Sequence, residues 1–230
     1  MRSTVLLIAA HPDDEVFGAG GTLARHVDDG DGVHLAFVAE GESSRPEQAS
    51  GVAPRKDAAR AAAATLGCAA PVFFGLADQR LDTLPLLDII RRIEALVAEI
   101  GPSVIYTHHP GDLNADHRLV AHAALTACRP LPGSVVRAIY AFEVPSSTEW
   151  SPGGAATQFS PARFVDISRT MQRKMEALRC YDAEMRPFPH PRSYEAVQAL
   201  ATWRGACAGL AAAEAFVVLR EVADAQSLSR

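Results

Sequence analysis

The chain reads as an α/β protein of three layers, α/β/α, with helices on both faces of a mostly parallel sheet. Three observations lead there. The short apolar runs Val5–Ala9, Val33–Ala39 and Val104–Thr107 have the composition of strands buried on both sides. Segments of helical periodicity alternate with them. Turn-forming stops such as Asp29-Gly30-Asp31-Gly32 and Gly101-Pro102 separate the two kinds of segment.

Element by element, Val5–Ala9 is a first strand and Glu15–Asp28 a helix. Val33–Ala39 is a second strand, and residues 41–54, rich in Gly, Ser, Pro and Glu, form a loop. Arg55–Leu66 is an Ala-rich helix closed by Gly67. Pro71–Phe74 is a short strand, Leu84–Ile100 a helix and Val104–Thr107 a fourth strand. A polar loop runs to His117, and Leu119–Cys128 continues as a helix. Val135–Glu143 is a fifth strand, 145–162 a long loop and Phe164–Ile167 a sixth strand. Ser168 is placed to cap a helix over Met171–Glu184, and Ser193 one over Tyr194–Gly209. Pro187-Phe188-Pro189-His190-Pro191 breaks the chain between them. Glu214–Leu219 is a final strand or short helix. This order places the first strand beside the fourth, where strand order reverses and such sheets bind ligands. No linker or repeat divides the 230 residues, so they read as one domain.

A net charge of −5 excludes a general basic field for nucleic acid or anionic lipid. No apolar run approaches the ~20 residues that span a bilayer. The N-terminus enters a strand directly, and its apolar segment is too short for a signal peptide, so a cytoplasmic protein is expected. Cys68, Cys128, Cys180 and Cys207 form no C-x-x-C pair and read as free buried thiols.

The chemistry gathers at the end of the first strand, in Ala10-His11-Pro12-Asp13-Asp14-Glu15. Packing does not account for a histidine and three acids there. An imidazole and a carboxylate three residues apart can share one metal ion, which leaves the acid between them for proton transfer. A second cluster, His108-His109-Pro110-Gly111-Asp112-Leu113-Asn114-Ala115-Asp116-His117, follows the fourth strand. Asn114 or Asp116 can cap the helix that starts there. Capping leaves His117 unexplained, and a third ligand explains it. His11, Asp14 and His117 then form the His₂-carboxylate set of a hydrolytic zinc site, for which Fe²⁺ or another divalent ion is the alternative.

The two motifs together resemble the LmbE-like/PIG-L family of zinc-dependent N-deacetylases. Arg55, Leu66-Gly67, Arg204-Gly205 and Ala213-Glu214-Ala215-Phe216 extend the resemblance over most of the chain. It implies a Rossmann-like fold and hydrolysis of an acetamide on a small N-acetylated amino sugar or its conjugate. It implies that His11, Asp14 and His117 hold the metal, that Asp13 is the general base and that Asp116 is an acid behind the last ligand. Arg55 matches an arginine implicated in substrate binding. Asn114 departs from the pattern, because several members carry there a histidine that assists the tetrahedral intermediate. An amide still donates a hydrogen bond, without positive charge.

Other residues are weighed on their surroundings. His190 is either an acid or oxyanion donor reaching over the site or an exposed turn histidine. One of His108 and His109 lines the pocket, with His109 taken as the substrate-binding candidate. Asp112 is either a pocket wall that binds sugar hydroxyls or a loop cap. Glu15 supports the helix start, or the ligands from behind, rather than the chemistry. His26, His34 and His122, without acidic neighbours, are structural. Gly18, Gly20 and Gly21 fall inside the first helix, where they permit close packing or a kink, and are not a dinucleotide loop. Met171, Met175 and Leu178 are core.

Two further functions compete with deacetylation: a related metal-dependent amidase or esterase on another acyl group, and a non-catalytic sugar- or nucleotide-binding protein. Specificity is expected in the loops 41–54, 77–83, 145–162 and 186–193. A homo-oligomer is compatible with this reading.

Overall fold

The computed structural model describes residues 2–44, 52–154 and 158–223. Parts of the predicted loops 41–54 and 145–162 therefore lie outside the described residues. Among the described residues the strands are β1 (Thr4–Ala9), β2 (Gly32–Ala39), β3 (Val72–Leu76), β4 (Val104–His108), β5 (Ala138–Phe142), β6 (Arg163–Asp166) and β7 (Ala213–Glu221). The helices are α1 (Asp14–Asp28), α2 (Val52–Leu66), α3 (Leu86–Ile100), α4 (Ala115–Ala127), α5 (Met171–Arg179) and α6 (Tyr194–Ala206). Among the described residues no helix is long and apolar enough to cross a membrane.

The strands form one sheet in the order β3-β2-β1-β4-β5-β7-β6. The first five are mutually parallel, and β7 runs antiparallel to both β5 and β6. The α/β reading holds, and β1 does lie beside β4, with Val5 opposite Val104. From β1 the chain works outward to β3 on one side and from β4 to β5 on the other. That reversal opens a crevice beyond the C-terminal ends of β1 and β4.

The period of two in β1 divides its side chains between two cores. Val5, Leu7 and Ala9 pack with α1, α2 and α5, whereas Leu6 and Ile8 pack with α3 and α4. Both faces are dry, which is why the strand lacks polar alternation.

The glycines of α1 do serve close packing. A Cβ on Gly21 would lie 2.8 Å from three side-chain atoms of Ile167. The room they leave admits a buried ion pair, in which Lys174 Nζ lies 2.6 Å from Glu214 Oε1. Glu214 accepts the N–H groups of Gly21 and Thr22 at 3.0 and 2.7 Å, and Lys174 donates to the Phe17 carbonyl at 2.8 Å. β7 and α5 are thereby bonded into the backbone of the helix that begins at the site.

Several expectations need correction. α5 ends at Arg179, five residues early, and the chain turns through a 3₁₀ segment at Asp182–Glu184. Ser168 does not cap it; its hydroxyl donates to Asp166 Oδ1 at 2.6 Å. Ser193 does cap α6, accepting from Ala196 N at 3.0 Å. The final segment is a strand. All four cysteines are free, yet only Cys128 is buried and Cys207 is exposed. His26 has an acidic partner after all: Nδ1 lies 2.7 Å from Asp31 Oδ2, and Nε2 lies 3.0 Å from the Tyr106 hydroxyl. Its role remains structural.

Candidate metal-dependent active site

β1 ends at Ala9 and delivers His11, and the chain reverses at Pro12-Asp13 into α1. Asp13 has φ 113°, a left-handed conformation that costs a non-glycine residue of order 1–3 kcal/mol. The turn is held from behind. Glu15 Oε2 accepts the Asp13 N–H at 2.9 Å, and Glu15 Oε1 accepts the Tyr181 hydroxyl at 2.7 Å. Burial pushes the Glu15 carboxyl up to about 8. This residue supports the helix start, as its position in sequence suggests.

The strained turn sends Asp13 and Asp14 in different directions. Asp14 Oδ2 lies 3.3 Å from His11 Nδ1 and 3.4 Å from the Nε2 atoms of both His108 and His117. Ligand atoms of His11, Asp14 and His117 all fall within 4.8 Å of one another. Asp14 Oδ1 and His117 Nε2 are buried and have no hydrogen-bond partner among the described residues. A buried His117 Nε2 left without a hydrogen-bond partner beside the Asp14 carboxylate, within a compact histidine–carboxylate cluster, fits a divalent cation.

The acid–base balance of the cluster agrees. Burial alone would lower His117, yet Asp14 and Asp112 raise it to about 9. His11 is likewise raised, against burial, by Asp116, Asp14 and Asp78. Burial disfavours an ionised Asp14, but His117 and His108 hold its carboxyl well below the usual range. The carboxylates thus favour positive charge among these side chains. His108 goes the other way: burial and His117 lower it well below the ordinary histidine value. Its ring stacks on His117 at 3.9 Å between centroids, and its Nε2 accepts the Ala10 N–H at 2.8 Å.

Further acids surround the two histidines. His11 Nε2 lies 2.9 Å from Asp78 Oδ1 and 3.2 Å from Asp116 Oδ2. Asp116 also accepts the N–H groups of Gln79 and Leu81 at 2.8 and 3.3 Å. His11, Asp78 and Asp116 form a second compact group. It uses the opposite ring nitrogen of His11 from the first, so it orients the imidazole. Asp112 sits behind His117 in the same way. It is 1% exposed, with Oδ1 3.2 Å from His117 Nδ1 and bonded to Ser147 Oγ, and Oδ2 2.6 Å from Thr148 Oγ1. Its carboxyl is held well below the usual range, against burial, by His117, Ser147 and Thr148. Both oxygens are bonded within the protein, and Oδ1 also accepts the Asn114 N–H at 2.8 Å, the bond of a loop cap.

Asp13 faces two guanidinium groups. Its Oδ2 lies 3.0 Å from Arg55 Nη2 and 3.1 Å from Arg192 Nη1. Burial raises the Asp13 carboxyl, and Arg55 and Arg192 oppose that rise. Arg55 is fully engaged: Nε and Nη2 bond the Pro12 carbonyl, and Nη1 faces Glu42 and Glu184. These acids hold its pKa above the usual arginine value despite burial.

The remaining predicted residues lie nearby in other roles. Asn114 is the N-cap of α4, with Oδ1 accepting the Asp116 N–H at 2.9 Å. His109 is buried with its ring edge-on to Phe159, 5.4 Å between centroids. His190 is half-buried; its Nδ1 accepts the Arg192 N–H at 3.0 Å and its ring meets Trp150. The loop at 186–193 therefore reaches the site through Arg192, two residues beyond the histidine singled out by sequence. Arg192, Glu184, Glu42 and Asp78 were missed. Their one sequence signal is a place in, or beside, loops expected to surround the site.

Comparison with known proteins agrees with this geometry. The PIG-L family, described as GlcNAc-PI de-N-acetylase, matches residues 6–128, more than half of the chain. The uncharacterized deacetylase YaiS of Escherichia coli is 32% identical over 151 residues, 64% of this chain and 76% of that protein. The 4-oxalmesaconate hydratase of Pseudomonas putida is 32% identical over 206 residues, 78% of this chain and 73% of that protein. Among solved structures, N,N'-diacetylchitobiose deacetylase from Pyrococcus horikoshii superposes with a TM-score of 0.77 at 20% identity, covering 95% of this chain and 84% of that one. The chain belongs to the PIG-L (LmbE-like) family of deacetylases.

Proposed function

We propose that the protein is a metal-dependent hydrolase that removes acetate from an N-acetylated amino sugar or sugar conjugate. The carrying observation is the division of labour at Asp13-Asp14. One carboxylate meets His11 and His117, and the other stands beside them between two arginines. The family description and the chitobiose-deacetylase fold support a sugar acetamide as substrate.

His11, Asp14 and His117 would hold the cation, with zinc proposed and Fe²⁺ the alternative for the same donors. When bound, such an ion lowers the pKa of water towards ~7 and polarises a carbonyl oxygen. Asp13 takes the proton released as water adds to the acetamide carbon. The same carboxyl returns it to the nitrogen as the C–N bond breaks, leaving acetate and a free amine. Arg55 opposes the rise that burial imposes on the Asp13 carboxyl and holds its Oδ2 at 3.0 Å. Asp112 and Asp116 orient His117 and His11. His109, buried beside Phe159, is the substrate contact of this reading, while the Asn114 oxygen caps α4 and His190 is bonded to the Arg192 backbone.

The hydratase relative favours a second reading, addition of water to the double bond of an unsaturated acid. One pair of assays separates the two. The metal-loaded protein releases acetate from N-acetylglucosamine conjugates and stops on chelation if the first reading is right. Loss of the ultraviolet absorbance of a conjugated dicarboxylate, with no acetate released, supports the second. A metal-free protein that does neither returns the chain to a binding role.

A further inference from the structure

We infer that Arg192 is the charged donor that receives the oxyanion formed during amide hydrolysis; this rests on the deacetylase reading above. The resemblance assigns that task to a histidine where this chain has Asn114. Here the Asn114 carbonyl oxygen is spent on capping α4, and its amide carries no charge. His190 is turned to the Arg192 backbone and to Trp150. Arg55 is 5% exposed, with every guanidinium nitrogen bonded to Pro12, Asp13, Glu42 or Glu184.

Arg192 differs from Arg55 on each count. Its guanidinium stands over Phe17, 5.2 Å from the ring centroid. Nε donates to Ser146 Oγ at 2.8 Å, which fixes the plane of the group. Nη1 reaches Asp13 at 3.1 Å and Glu184 at 3.8 Å. Nη2 has no partner among the described residues, and the side chain is 17% exposed. A fixed cation with an unused pair of N–H groups therefore stands beside the carboxylate that moves the proton.

The reaction places charge there. As the water oxygen bonds to the acetamide carbon, the carbonyl π pair moves to its oxygen and the water proton moves to Asp13. When C=O reforms, the C–N bond breaks and the Asp13 proton passes to the amine. The negative oxygen exists only between these two events. A donor aimed at it lowers the barrier without tightening substrate binding.

Arg192→Met, which keeps an unbranched apolar chain without the charge, and Arg192→Lys, which keeps the charge without the fork, test this in the metal-loaded enzyme. The readouts are kcat and KM for an N-acetylglucosamine conjugate, and affinity for its methylphosphonamide analogue, a tetrahedral anion. Loss of one oxyanion donor lowers kcat by about 10²–10³-fold. The Met variant is expected to lose kcat on that scale with KM little changed, and to bind the analogue weaker by a similar factor; the Lys variant falls between. A residue that merely positions Asp13 would lower kcat and leave analogue affinity intact, and that result overturns the inference. So does an unchanged kcat. Absence of acetate release by the unaltered protein overturns the deacetylase reading and this inference together, whereas normal release with unchanged analogue affinity in both variants overturns this inference alone.

Discussion

His117 Nδ1 lies 3.2 Å from Asp112 Oδ1, while the other ring nitrogen of His117 faces Asp14. In the proposed metal site the buried carboxylate would fix the tautomer of the imidazole, so that Nε2 would present its lone pair to the cation. Asp112→Asn removes the negative charge and keeps the shape. The loss of such a partner costs about 10–100-fold in metal affinity. Competition against a chelating dye is expected to show that weakening with an unchanged far-ultraviolet circular dichroism spectrum.

Lys174 and Glu214 bind the middle of α1 to α5 and β7. Removing one member strands a buried charge at a cost of about 3–5 kcal/mol. Lys174→Met is therefore expected to lower denaturant stability by that order, and Lys174→Met with Glu214→Gln by less than the sum of the single changes. A double-mutant cycle with no coupling would show that the two charges act independently.

Gly21 has Ile167 packed where a side chain would begin. Forcing an extra methyl into a filled core costs typically about 1–3 kcal/mol. Gly21→Ala is expected to lower the melting temperature although alanine has the higher helix propensity. A gain in Tm would mean that α1 and Ile167 separate freely.

Much of this was legible in the sequence, for a physical reason. A strand buried on both faces must be continuously apolar, so Val5–Ala9 marks the centre of the sheet and His11 its ligand-binding edge. The second motif falls at the same edge because β4 lies beside β1. Residues that reach the site by non-local routes were hidden. Nothing in Cys180–Met185 is a strong helix breaker, yet α5 stops at Arg179, and the turn that follows brings Glu184 to Arg55. His190 drew attention by residue type, whereas the arginine two positions later makes the contact with Asp13. The strand at Ala213–Glu221 inserts between β5 and β6, and its pattern alone did not distinguish it from a short helix.

In the proposed mechanism Asp13 moves the proton while Asp14 serves the metal. Asp13→Asn, with its metal content measured alongside acetate release, tests that division most directly. The expected result is stoichiometric metal with kcat lowered by about 10²–10⁴-fold, the scale of general acid–base catalysis. An Asp13→Asn protein that holds its metal and releases acetate at the unaltered rate would contradict the assignment.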